Sequence, residues 1–565
     1  MEHSEISSLI WKVCDDELRG LFKPHEYGDI ILPFLLLRRI DCVLEPHKDK
    51  VIELNKKYEG KAATKLIQQE IKQNFFNSSK YDLNRLKQDS ENIKINFNNY
   101  LAGYSDNILG IIENFQLQKP IDKLNKAGRL LQFITKFGEI NLHPETVSNH
   151  QMGQIFEELL RLSSEMSNET SGEHYTPRDV VNLLTSMVFS QDRDNLQGAS
   201  LVRSIFDPCC GTGGMLTIGK EWAHEHINNK IKFNLFGQEL NPQTHSICQS
   251  DMLIAGESTD NIKQGSSLTE DKFSGEVFDY MLSNPPYGVS WKSEKDFIKN
   301  EGNNENGRFS GGTPRISDGQ LLFLQHMISK MEPDAARIGI VLNGSPLFTG
   351  DAGSGESNIR KWIIENDMLE CIVSLPNQLF FNTGIPTYIW ILTNKKEDKR
   401  KGKVQLINGA SFFNLMRKAL GNKRKEISPD DRKRILQTYL DFEETEHSKI
   451  FDNNYFGYTK ITIEQPKIEK GEIVKDGKGQ PKPDTKKRDE ERVPLSEDID
   501  AYIAREVTPH LPDAWWDETK DKIGYEISFN REFFKYVPLR SLKDIKKDLL
   551  NLDQETKGLL KEILK

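Results

Sequence analysis

An α/β fold, with a mainly parallel sheet carrying helices on both faces, is the architecture this sequence predicts. Three observations point to it. The apolar run 201–206 ends in the glycine-rich turn Asp207-Pro208-Cys209-Cys210-Gly211-Thr212-Gly213-Gly214. A second apolar run, 277–282, delivers Ser283-Asn284-Pro285-Pro286-Tyr287-Gly288. Strand-like and helix-like segments alternate around and beyond both.

Residues 1–150 read as a helical N-terminal domain. Ile6, Leu9, Ile10 and Val13 recur at i, i+3, i+4 and i+7, one face of an amphipathic helix. Further apolar positions such as Leu86, Ile93, Leu101, Ile108, Leu130 and Phe133 suit more helices, and the region reads as accessory, without chemistry of its own. Residues 151–415 hold the catalytic sheet. A helix from Met152 to Leu162 leads through a polar linker to Tyr175-Thr176-Pro177, where Thr before Pro is good helix-start chemistry. Strands are expected over 201–207, 233–240, 277–283, 337–342, 369–375 and 387–392, and a mobile loop over 289–319 covers the crevice. Residues 416–565 form a C-terminal region. Within it, 461–497 is a charged linker or long hairpin, and from Ser541 the spacing of Leu542, Ile545, Leu549, Leu552, Leu559 and Ile563 marks a terminal helix that packs on its own domain or docks on a partner.

The bulk composition narrows the class. With 565 residues, 36% hydrophobic and 28% charged, the chain suits several globular domains of ~150 residues each. Its longest apolar run, Ile30–Leu37 interrupted by Pro33, is far short of the ~20 residues that span a bilayer. No basic leader opens the chain, and its six cysteines form no CxxC pair, so a cytoplasmic protein without a cysteine metal site is expected. A net charge of −9 suggests that a nucleic-acid partner is gripped with help from another chain.

The glycine turn lacks the Gly-Lys-Ser/Thr of a phosphate loop and does not fit the three-glycine dinucleotide fingerprint. Glu239 ends the second strand, where an acid hydrogen-bonds ribose hydroxyls. A nucleoside cofactor without phosphates fits both, and S-adenosylmethionine is that cofactor. Expected cofactor-binding residues are Tyr175, Thr176, Pro177, Asp207, Cys209, Gly211, Thr212, Gly213, Gly214, Glu239 and Asn284.

Asn284, Pro285, Pro286 and Tyr287 are the expected catalytic residues. The Asn284 side-chain oxygen and the Pro285 carbonyl can each accept a hydrogen bond from an exocyclic amine. That favours a pyramidal nitrogen whose lone pair faces the methyl donor, and the prolines fix the acceptors. Tyr287 offers an aromatic face to a base taken out of the duplex. Pro208-Cys209 resembles the dipeptide of cytosine C5 methylation, but it lies inside the cofactor turn, so Cys209 and Cys210 read as small packing residues. Neither a Ser/His/Asp arrangement nor a metal-ligand cluster is evident.

On these residues the chain resembles the amino-group DNA methyltransferases, in particular the modification subunits of type I restriction-modification systems, of the class making N6-methyladenine. The resemblance covers most of the chain: Leu18-Arg19-Gly20 with the Ile30–Leu37 run, Met152 to Leu159, Gly172 to Pro177, Asp207 to Gly214 and Asn284 to Gly288. It continues through Thr383-Gly384-Ile385-Pro386-Thr387 and Val493 to Asp498, and on to Tyr525-Glu526-Ile527. It implies an S-adenosylmethionine-dependent enzyme acting on duplex DNA. The implied assembly pairs two such subunits with one specificity subunit, and a motor-nuclease subunit joins where restriction occurs. At Gly265-Ser266 the chain departs from the pattern, which often has an acid after the glycine near the cofactor adenine. Other readings are an amino-methyltransferase acting on a protein glutamine or an RNA base, a stand-alone DNA adenine methyltransferase, and a non-catalytic assembly subunit.

Overall fold

The computed structural model describes residues 3–563 except 24–25, 59, 149–150, 154, 157, 160–161, 163–175, 199, 382, 470–471, 535 and 537–539. Met1–Ile527 form one compact unit and Ser528–Lys565 another. Among the described residues no helix is long and apolar enough to cross a membrane.

The N-terminal region is helical, from His3–Leu18 to Leu130–Gly138. Its centre is the helix Gly28–Leu44, whose apolar run Ile30–Leu37 leaves no polar face there and which is buried along almost its whole length. Phe34 stacks on Phe97 at 5.4 Å and meets Phe133 edge-on at 4.8 Å. Two guanidiniums enter this core by satisfying carbonyls: Arg38 Nε donates to Ile140 O at 2.6 Å, and Arg39 Nη1 to Val147 O at 2.6 Å.

The nine-stranded sheet comprises β1 (Val202–Asp207), β2 (Lys232–Glu239), β3 (Ile262–Gln264), β4 (Tyr280–Ser283), β5 (Arg337–Asn343), β6 (Leu369–Ser374), β7 (Thr387–Thr393), β8 (Lys403–Asn408) and β9 (Ser448–Asp452). Its spatial order is 9-8-6-7-5-4-1-2-3. Strands 3-2-1-4-5 are mutually parallel. β7 inserts antiparallel between β5 and β6, and β9 closes one edge antiparallel to β8. β5, β6 and β7 are buried residue by residue, which explains their continuous apolar sequences. From β1 the chain moves outward through β2 and β3, then returns to β4 on the other side of β1. That reversal opens a crevice beyond the carboxyl ends of β1 and β4.

The sheet runs past residue 415, because β9 belongs to it. Helix Pro429–Asp441 is also tied to it, with Arg337 Nη2 donating to Tyr439 Oη at 2.7 Å. The charged stretch after 461 is a hairpin rather than a linker. Gly457–Glu464 pairs antiparallel with Asp489–Pro494, and Ile461, Ile463 and Val493 are buried between polar neighbours.

Helix Pro242–Ile254 joins the two regions. Asn241 caps it, accepting from Gln243 N and Thr244 N. Cys248 and Met252 belong to the core under the sheet, whereas Ile247 and Leu253 belong to the N-terminal core. Asn114 Nδ2 donates to Ser246 Oγ at 2.9 Å and Gln243 Nε2 to Asp29 Oδ1 at 3.1 Å.

In the second unit, Ser541 Oγ accepts from Asp544 N at 3.1 Å and caps the helix Leu542–Ile563. Leu542, Leu549 and Leu552 of that helix are exposed.

Candidate active site at the carboxyl ends of the strands

At the end of β1, Asp207 Oδ1 accepts from Cys209 N at 2.9 Å and from Ser283 Oγ, at the end of β4, at 2.8 Å. Those bonds clamp the two strand ends together. The turn is stitched to β2, with Cys210 N donating to Gln238 O at 3.1 Å. Gly211 has φ +54° and Gly213 φ +87°, values that side chains other than glycine adopt at a cost. A Cβ on Gly213 would lie 2.9 Å from Cys248 Sγ and Met252 Cε, whereas one on Gly211 would meet nothing within 4 Å. Gly213 therefore closes the turn on its helix and Gly211 faces open space. Glu239 holds the turn from the next strand: Oε2 accepts from Gly211 N at 3.0 Å and Oε1 from Asn241 N at 2.8 Å.

These ends open on a cavity of ≈ 570 Å³, in the size range of small-molecule sites. Asn284 after β4, the turn after β1, Glu239 and Leu240 at β2, and Ser266 after β3 line it in the order of the strands. Among the described residues, the ionisable acids in the wall are Asp207, Glu239 and Glu294, and the one basic group is the Arg178 guanidinium. A phosphate-bearing nucleotide would find little to neutralise it there. A phosphate-free nucleoside carrying positive charge fits, and S-adenosylmethionine, with its sulfonium and ammonium, is such a molecule.

Of the expected cofactor residues, Thr176, Asp207, Cys209, Gly211, Thr212, Gly214, Glu239 and Asn284 lie in the wall. Pro177 caps the helix Arg178–Ser190 behind Thr176, and Gly213 shapes the turn from behind. Tyr175 lies outside the described residues. Cys210 is buried against Cys248, whereas Cys209 is half-buried at the cavity wall. Contact with Cys248 and burial push the Cys210 thiol far up, burial does the same at Cys209, and a thiolate nucleophile is disfavoured at both.

Asn284 and Pro286 border the cavity; Pro285 is buried. Tyr287 is not in the wall. It is 6% exposed, its ring meets Phe380 at 6.3 Å in a T-shaped contact, and its hydroxyl donates to Asn284 Oδ1. The structure thus gives Tyr287 a hold on Asn284 and pairs its ring with Phe380, a residue the sequence reading passed over. The available signal was position: Leu379-Phe380-Phe381 follows β6 at the same carboxyl edge.

Residues 289–319 are not the mobile loop expected. They fold into a short turn, Lys292–Glu294, and the helix Lys295–Gly302. Trp291, Ile298 and Phe309 make a small core with Leu268 and Leu322. Arg308 locks it down, pairing with Glu301 at 2.6 Å and donating to the carbonyls of Ser267 at 2.8 Å and Leu268 at 2.7 Å. This cap brings Glu294 to the cavity, where Ser266 Oγ donates to Glu294 Oε1 at 2.7 Å. The acid missing after Gly265 is met in space by one 28 residues further on.

Burial raises the Asp207 carboxyl to about 7, against the pull of Cys209 N–H and Ser283. The native state then holds a proton between pH ~4 and ~7 that the unfolded chain has released, so stability falls as pH rises through that window. Asp207→Asn should flatten this slope, raising ligand-free stability at pH 8 by up to about 4 kcal/mol and leaving pH 4 unchanged. Thermal melts against pH check this; parallel curves for both proteins would contradict it.

Comparison with known proteins places these features. Residues 147–469, more than half of the chain, match the family model described as N-6 DNA Methylase, and residues 6–137 match the HsdM N-terminal domain. The chain is 25% identical over 496 residues to the type I restriction enzyme MjaIX methylase subunit of Methanocaldococcus jannaschii, covering 84% of this chain and 83% of that one. It is 31% identical over 289 residues to the type I restriction enzyme EcoEI methylase subunit of Escherichia coli, covering 48% and 52%. Among solved structures, the type I restriction-modification system methyltransferase subunit from Streptococcus thermophilus superposes with a TM-score of 0.62 at 20% identity, covering 81% of this chain and 97% of that one. That likeness is one of fold.

Proposed function

Because this chain belongs to the N-6 DNA methylase family, we propose that it is the modification subunit of a type I restriction-modification assembly, methylating N6 of an adenine extruded from duplex DNA. The observation that carries the reading is the cavity that the Gly211 turn, Glu239 and Asn284 share, with the acids Glu239 and Glu294 in its wall.

S-adenosylmethionine, when bound, supplies an electrophilic methyl group. The Gly211 turn and Glu239 would hold its sugar, and the Ser266–Glu294 pair would face its base, because, of the strands that line the cavity, in the order 4-1-2-3, β3 lies farthest from Asn284. Asn284 Oδ1 and the Pro285 carbonyl accept the two hydrogens of the target amine and aim its lone pair at the methyl carbon. With the methyl donor in place, these acceptors would leave the amine lone pair free for transfer, and the released amine proton would pass to solvent. Tyr287 orients the acceptor through its hydroxyl.

Transfer of labelled methyl to duplex DNA, by the chain alone and with its co-expressed neighbours, tests this. Transfer to adenine N6 in the mixture alone is expected, since the reader of sequence is a separate specificity subunit. Absence of transfer to DNA in both conditions would overturn the proposal. Glu294→Ala should weaken S-adenosylmethionine binding about tenfold, through loss of one charged acceptor; an unchanged equilibrium constant would remove Glu294 from the site.

The assembly would hold two copies of this chain with one specificity subunit, and a motor-nuclease subunit where restriction occurs. The exposed leucines of helix Leu542–Ile563 suit docking onto such a partner. Deleting Ser541–Lys565 should weaken assembly while cofactor affinity stays unchanged, which gel filtration and binding titration check; an intact complex would count against docking.

A further inference from the structure

We propose that the hairpin formed by Asn414–Leu420 and Lys423–Glu426 grips the DNA phosphates beside the base pocket, an inference that rests on the DNA-acceptor reading above. The chain carries a net charge of −9, yet residues 414–426 hold Arg417, Lys418, Lys423, Arg424 and Lys425 against the single acid Glu426. A local reversal of sign on an acidic protein marks a place for an anionic partner.

The hairpin is a separate two-stranded ribbon, not part of the large sheet, and a ribbon of this kind fits a DNA groove. It is anchored at three points. Asn422 N donates to Phe381 O at 2.7 Å and Arg424 N to Gln378 O at 3.0 Å, so it is bonded to the loop that carries Phe380. Phe380 in turn meets Tyr287, which holds Asn284. Lys423 is buried and paired with Asp179 at 3.3 Å, and Asp179 Oδ2 also accepts from Ile427 N at 2.8 Å.

Lys423 is therefore structural, and the cations turned outward are others. Arg417 and Arg424 are exposed, and no side-chain ion pair or hydrogen bond engages either guanidinium among the described residues. Lys425 Nζ sits 3.7 Å over the Phe413 ring, which holds it in place without neutralising it. A base drawn into the pocket by Asn284 brings its flanking phosphates to the mouth, where such cations can hold the distorted strand.

The test is DNA binding by the complex of the full chain with its co-expressed neighbours, the chain carrying Arg417→Ala and Arg424→Ala together, measured on a short generic duplex across a salt series, with gel filtration to follow assembly and S-adenosylmethionine binding as the check on folding. The expected result is an affinity about tenfold lower at low salt and a log–log salt slope smaller by about 2, with cofactor binding unchanged. Arg→Lys at both positions should restore the slope. An unchanged slope, or no duplex binding by the parent complex, overturns the proposal, as does an unchanged slope with lost assembly, which would assign the ribbon to an acidic protein partner. Methyl transfer to DNA by the assembled parent complex is measured alongside. Its absence would speak against the enzyme reading, whereas transfer with an unchanged slope would remove only the hairpin's role.

Discussion

Replacing Asn284 by alanine should lower methyl transfer by about a thousandfold, the cost of removing one oriented polar partner of a transition state, with S-adenosylmethionine binding little changed. The asymmetry follows from geometry. Asn284 follows β4, whereas the residues assigned to the cofactor's sugar and base follow β1, β2 and β3, on one side of it in the sheet. The substitution removes the acceptor for the amine and also takes Oδ1 from the Tyr287 hydroxyl, at a stability cost of about 1–3 kcal/mol. Single-turnover transfer and equilibrium binding measured on one preparation separate the two effects. Equal losses in both would remove Asn284 from the transfer step and make it a cofactor ligand.

Gly211→Val should do the reverse, reducing S-adenosylmethionine affinity at least about a hundredfold while the protein stays folded. A side chain at 211 meets nothing within 4 Å in the folded chain, so its bulk occupies the space assigned to the ligand, and uniform loss of binding follows. The left-handed φ of +54° adds backbone strain of about 1–3 kcal/mol, to be read from the melting temperature. Gly213 offers the contrast, since a Cβ there strikes Cys248 and Met252 and damages packing first. Normal binding by Gly211→Val would show that the turn is not the cofactor seat.

What the sequence disclosed were the features whose chemistry is local. The Gly211 turn, Glu239 and Asn284 each follow an apolar strand at its carboxyl end, and a parallel sheet must bring such ends together. β3 escaped notice because three residues, Ile262–Gln264, carry no alternation to detect. The cap was mistaken for a mobile loop because its apolar anchors, Trp291, Ile298 and Phe309, are scattered among lysines, asparagines and glycines. Glu294 could not be assigned, since its meeting with Ser266 depends on how that cap folds. Tyr287 shows the limit from the other side: residue type suggested an exposed aromatic face, while tertiary packing sets the ring against Phe380 and bonds its hydroxyl to Asn284 Oδ1.

Helix Pro242–Ile254 shows why the N-terminal region is more than an appendage. One side of it backs the glycine turn through Cys248 and Met252, and another, through Ile247 and Leu253, belongs to the N-terminal core. Cutting the chain near residue 150 would strip that second side bare and loosen the support behind Gly213. Excision of residues 151–565 should therefore cost stability at the cofactor turn.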